Sequence, residues 1–81
     1  MLIFNMKKIG YYCAECRKVK KITQAELAEK IGKTFSAISW FEHGRIDSAT
    51  ILLCYMTDVF SPSDLKIFIR GILNGNFTKK N

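Results

Sequence analysis

Between Gln24 and Ile31 the apolar residues Ala25, Leu27, Ala28 and Ile31 recur at the three-and-four spacing of one buried helical face, while Gln24, Glu26, Glu29 and Lys30 are left for water. The pattern predicts a short amphipathic helix beginning at Gln24. Thr23 precedes it as a cap whose hydroxyl can accept from a free N–H of the first turn, and Glu26 three positions on completes a capping box. Gly32 stops the helix, because glycine enters the left-handed conformation without a steric penalty, and Lys33-Thr34 turn the chain. From Phe35 the period resumes under a second cap, Thr34. Ala37, Ile38 and Phe41 form its inner face, Ser36, Ser39, Trp40 and His43 point outward, and Gly44 ends it.

The same period predicts helices on either side. Residues 6–20 form the first, with Ile9, Cys13 and Cys16 on one face and Gly10 as a mild weakness. Its basic residues Arg17, Lys18, Lys20 and Lys21 gather toward the C-terminal end, where cations suit the helix dipole. Asp47-Ser48 cap a fourth helix from Ala49 to about Phe60, striped by Ile51, Leu52, Tyr55, Met56 and Val59. Ser61 as cap, Pro62 at the first helical position and Asp64 in the first turn start a fifth. This one spans about residues 62–73 on a face of Leu65, Phe68, Ile69, Ile72 and Leu73, with Ile67 off the stripe, and ends at Asn74-Gly75-Asn76. The expected fold class is therefore all-α, a compact bundle of five short helices. Eighty-one residues with 48% apolar content make one small domain, residues 1–81, with a modest core. The polar tail Thr78 to Asn81 is expected to fray. Leu2, Ile3, Phe4 and Met6 read equally as a start of the first helix, a short interface strand or disorder.

Two short helices joined by a tight glycine turn, about residues 24–44, are an arrangement that reads duplex DNA. The run T-Q-x-x-L-A-x-x-I-G from Thr23, then T-x-S-x-I-S from Thr34, then E-x-G from Glu42, with Arg17 upstream, resembles the helix-turn-helix domain of the phage lambda repressor and Cro family. The resemblance covers about residues 9 to 60. It implies a bundle of four or five helices whose second carries a phosphate-binding Gln and whose third lies in the major groove, usually in a dimer. On that resemblance Gln24 is the phosphate contact, and Thr34, Phe35, Ser36, Ser39 and Trp40 face the groove. Lys33 and Arg45 flank that helix as phosphate contacts, and His43 is a surface or phosphate-facing residue at its end. The resemblance also places Arg17 and Glu42 where relatives hold a buried ion pair; the alternative is two solvated charges.

The groove-facing positions depart from the family pattern. Relatives commonly carry Gln, Arg or Lys where this chain has Phe35, Ser36 and Trp40, and Ser and Thr discriminate weakly between base edges. Phe35 suits a thymine methyl. Trp40 admits three readings: stacking on sugar or a thymine methyl, core packing under the fourth helix, or a protein contact. Two functions follow. One is a sequence-specific regulator of transcription, most simply a repressor that binds an inverted-repeat operator as a dimer, with the fifth helix read either as a dimer surface or as simply packed on the first helix. The other is a protein-interaction module on the same scaffold, such as an antirepressor, antitoxin or phage inhibitor that grips its partner with Phe35 and Trp40. Stacking on single-stranded RNA is a third, weaker option.

Charge and chemistry narrow this further. The net charge of +6 suits a polyanion. Cys13 and Cys16 have the spacing of a metal or redox pair, but only Cys54 and His43 are left as further zinc ligands and the pair falls inside a helix, so core packing is the expected role. Neither a paired carboxylate site nor a nucleophile with its base is present, so no enzymatic activity, cofactor, metal or small-molecule ligand is expected. No apolar run is long enough to span a bilayer and the opening residues lack a secretory layout, which points to the cytoplasm.

Overall fold

The computed structural model describes residues 5–75, so the expectations for Leu2, Ile3 and Phe4 and for the chain from Asn76 onward lie outside the described residues. Within them the fold is helical throughout: α1 (Met6–Val19), α2 (Gln24–Ile31), α3 (Phe35–Glu42), α4 (Ala49–Cys54) and α5 (Pro62–Asn74), with a wider π turn over Tyr55–Val59 after α4. Each start is fixed locally by a side-chain cap. Thr23 and Glu26 form both halves of a capping box, the Glu26 N–H donating to Thr23 Oγ1 at 3.0 Å and the Thr23 N–H to Glu26 Oε1 at 2.8 Å. Ser61 and Asp64 repeat the device ahead of α5 with Pro62 in its first turn. Gly32, at φ 71°, supplies the left-handed residue that ends α2 and lets the chain turn into α3.

The fourth helix differs from the continuous one that its stripe predicts. After Cys54 the ladder widens, and the Phe60 N–H reaches back five residues to the Tyr55 carbonyl at 2.8 Å. The Thr57 hydroxyl donates to the carbonyls of Leu53 (3.0 Å) and Cys54 (3.3 Å), engaging acceptors that a regular helix reserves for its own N–H groups.

The core is drawn from every helix: Ile9, Cys13 and Cys16 of α1, Leu27 and Ala28 of α2, Ile38 and Phe41 of α3, Ile51 of α4, Tyr55 and Val59 of the π turn, Phe60, and Phe68 of α5. Cys13 and Cys16 are both fully buried, and burial pushes the Cys13 thiol far up, which keeps it protonated and inert. Tyr12, Phe60 and Phe68 pack as an aromatic cluster with ring centroids 5.4 to 6.2 Å apart. The Tyr12 hydroxyl donates to the Asp64 carbonyl at 2.8 Å and Lys20 Nζ lies 3.5 Å from Asp64 Oδ2, tying α1 to the start of α5.

Two expected faces are rotated, and one expected weakness is a close contact. At about 100° per residue, Gln24 lies on the same side of α2 as Leu27, Ala28 and Ile31, and Ala25 lies well away from it. Accordingly Gln24 is half-buried and Ala25 is exposed, the reverse of what apolar character alone suggests. On α5 the docked row is Asp64, Phe68 and Gly71, which leaves the far edge of the apolar stripe, Ile69 and Leu73, exposed at 51% and 76%. Gly10, expected to be a mild weakness, is where α1 crosses the end of α3. A Cβ there would stand 2.4 Å from the Phe41 carbonyl oxygen and 2.6 Å from that of Glu42, so the crossing distance requires glycine.

Candidate nucleic-acid interface

Around the axis of α3, helical spacing separates Ala37, Ile38, Phe41 and Glu42 from Phe35, Ser39, Ser36 and Trp40. Ile38 and Phe41 anchor the first group in the core and Ala37 is half-buried, so the second group faces out. Phe35 is 56% and Trp40 49% exposed, which removes the core reading of Trp40. Ser36 is exposed and Ser39 half-buried between them. Thr34 caps the helix by accepting from the Ala37 N–H at 3.0 Å, so its hydroxyl hydrogen is still available to donate outward. Lys33 is exposed at the N-terminal end, and His43 and Arg45 at the C-terminal end. His43 Nδ1 lies 2.8 Å from the Ser39 carbonyl, an acceptor only, which places a proton on Nδ1.

The single acidic side chain of α3 is withdrawn from that surface. Glu42 is buried, and Arg17 grips it in bidentate geometry, Nε to Oε2 at 2.7 Å and Nη2 to Oε1 at 3.0 Å. Arg17 Nη1 donates in addition to the Ile22 carbonyl at 2.6 Å, so the guanidinium joins α1, the entry to α2 and the end of α3. Two further donors reach the same carboxylate: Gln24 Nε2 to Oε1 at 2.8 Å, and the Tyr55 hydroxyl to Oε2. Gln24, read from sequence as a solvent-facing phosphate contact, is therefore partly committed to the protein. Its second amide hydrogen bonds nothing among the described residues.

Burial alone would raise the Glu42 carboxyl. It is outweighed by the hydrogen bonds from Arg17, Tyr55 and Gln24 and by the Arg17 charge, and the group ends below its ordinary value of 4.5. A carboxylate held lower in the folded state stabilises the fold fully above its unfolded value and loses that contribution as pH falls through the folded one. Thermal stability is thus expected to hold above about pH 5 and to drop on further acidification, with Glu42→Gln lacking this component; melting curves followed by circular dichroism across that range check it.

The sequence profile of the helix-turn-helix family matches residues 14–54, just over half of the chain and the span that holds the buried Arg17–Glu42 pair, the Gly32 turn and α3. The chain belongs to the Cro/C1-type helix-turn-helix family. No curated protein and no solved structure matches alongside it. This helix-turn-helix is thus a DNA-binding regulator, with double-stranded DNA as its partner. Among the described residues, no group of three or more His, Cys, Asp or Glu could hold a metal ion, and no helix is long and apolar enough to cross a membrane.

Sequence reasoning missed Tyr55 in the Glu42 network and the inward side of Gln24. The wheel of α2 held the signal for Gln24, since it stands one turn before Leu27 and Ala28. Nothing local marks Tyr55, whose hydroxyl meets Glu42 only after the chain has turned through Arg45 to Ser48.

Proposed function

We propose that residues 1–81 act as one domain, a transcriptional regulator, most simply a repressor, that binds an inverted-repeat operator as a homodimer in the cytoplasm. The carrying observation is the fate of charge at α3: its one carboxylate is buried against Arg17, and the exposed face is left without negative charge between Lys33 and Arg45. Such a face can approach base edges while the flanking cations meet phosphates. Gln24 contributes its remaining amide hydrogen to a phosphate, with Glu42 holding the other half of the amide in place. Ile69 and Leu73, an apolar edge left uncovered on α5, support the two-fold contact. Two α3 helices so related would lie about 34 Å apart, one turn of B-DNA.

The test is duplex binding as a function of salt. With Lys33 and Arg45 neutralising one phosphate each in both subunits, the log–log slope is expected near −3.6, so affinity falls about 150-fold for a fourfold rise in salt. Lys33→Ala and Arg45→Ala should each flatten the slope without changing which sequences are preferred. No retention on any duplex at low salt would remove this reading. A second reading keeps the scaffold and changes the ligand: Phe35 and Trp40 are exposed aromatics of the kind that anchor protein interfaces. A stoichiometric protein partner lost on Trp40→Ala, together with absent DNA retention, would establish it instead.

A further inference from the structure

The outward half of α3 has an order that its composition alone does not reveal. Around the axis, at about 100° per residue, it runs Phe35, Ser39, Ser36, Trp40, so the two short hydroxylic side chains occupy the middle and the two aromatic rings form the rims. Along the axis the rims are separated by about 7.5 Å, at 1.5 Å per residue, which is about two base-pair steps. No exposed Arg, Lys, Asn, Gln, Asp or Glu stands on this helix, because Glu42 is committed to Arg17, Gln24 and Tyr55. The bidentate pairs that read guanine and adenine, and the carboxylate that reads cytosine, are therefore missing from the helix.

What the face offers instead is apolar surface at its two edges. In the major groove a base pair presents hydrogen-bonding groups and one apolar group, the thymine 5-methyl, which stands at the outer end of the pattern next to its own strand. Serines in the middle let the helix approach closely and bond either kind of edge, while rings at the rims meet methyl groups near the two strands. Resting on the DNA-binding reading above, we infer that Phe35 and Trp40 determine specificity by packing on thymine 5-methyl groups, so that each half-site is defined by thymines on both strands and not by bidentate hydrogen bonds. Lys33 and Arg45 at the two ends hold the aromatic face against a polyanion, which favours this occupant over an apolar protein surface.

Burial of one methyl-sized group is worth about fourfold in affinity, so replacing the contacted thymines of both half-sites is expected to weaken binding roughly tenfold or more. The experiment takes duplexes selected by the full-length chain from a random pool and replaces thymine by uracil one position at a time, which deletes the methyl and leaves every hydrogen-bonding group unchanged. The expected result is a loss confined to a few positions on both strands of each half-site. Phe35→Ala should abolish the loss at one set and Trp40→Ala at the other. Both side chains are exposed, so circular dichroism should show the two variants folded. Tight binding that is indifferent to uracil at every position overturns the inference and leaves the DNA-binding reading intact. Failure to retain any duplex at low salt overturns both, and capture of a stoichiometric protein through Trp40 then assigns the face to that partner.

Discussion

Glu42→Ala is expected to destabilise the fold by about 3–5 kcal/mol, because truncation leaves the buried Arg17 guanidinium without its counter-charge. The same change removes the acceptor of the buried Tyr55 hydroxyl and of one Gln24 amide hydrogen. A domain of this size has about 5–15 kcal/mol of stability in total, so the loss takes up a large share of it. With a urea slope near the low end of the ~1–3 kcal/mol per M range, the unfolding midpoint should fall by about 2 M or more. Adding Arg17→Met to Glu42→Ala should restore part of the loss, since the stranded charge is the larger penalty. A single variant that melts like the parent would show that the buried pair contributes no net stability. The effect should extend to DNA binding at equal folded fraction, because Glu42 also orients the Gln24 amide.

Gly10→Ala has two opposed contributions, and their difference decides its sign. Alanine inside a helix gains about 1 kcal/mol over glycine through backbone entropy and propensity. Against that, the new methyl would stand 2.4 Å from the Phe41 carbonyl oxygen, a backbone atom that can retreat only if α1 and α3 separate. Overpacking of this kind costs about 1–3 kcal/mol and more where backbone must move. The separation would also lengthen the Arg17 to Glu42 bonds, which span the same two helices. We therefore expect a net loss of about 2 kcal/mol or more and a melting temperature lower by roughly 10 °C, by differential scanning calorimetry. A stabilised Gly10→Ala would mean that α1 does not approach α3 this closely in solution.

These two positions mark where reading a sequence stops. The capping box at Thr23, the Ser61 cap with Pro62 behind it, the Gly32 turn and the starts of α2, α3 and α5 are legible because each depends on groups within a few residues of one another. The outward Ser36, Ser39 and Trp40 of α3 are legible for the same reason, since helical period separates them from Ile38 and Phe41, while Phe35 on that face comes from the family resemblance. Arg17 opposite Glu42 came from the family resemblance and not from spacing. The rotated faces were less accessible. Polarity assigns Gln24 to water, although its position on the wheel puts it among Leu27, Ala28 and Ile31.

The helix starts, their caps and the outward serines and Trp40 of α3 are written locally in the chain, because they follow from hydrogen bonds between near neighbours and from a fixed period. That Tyr55 and Gln24 complete the Glu42 site, that Gly10 sets the distance between α1 and α3, and that Ile69 and Leu73 are left uncovered is settled by the packing of the folded chain. Each of those depends on how closely and at what angle two helices meet. Such distances are set by the summed packing of side chains distant in sequence, and no local pattern along the chain encodes them.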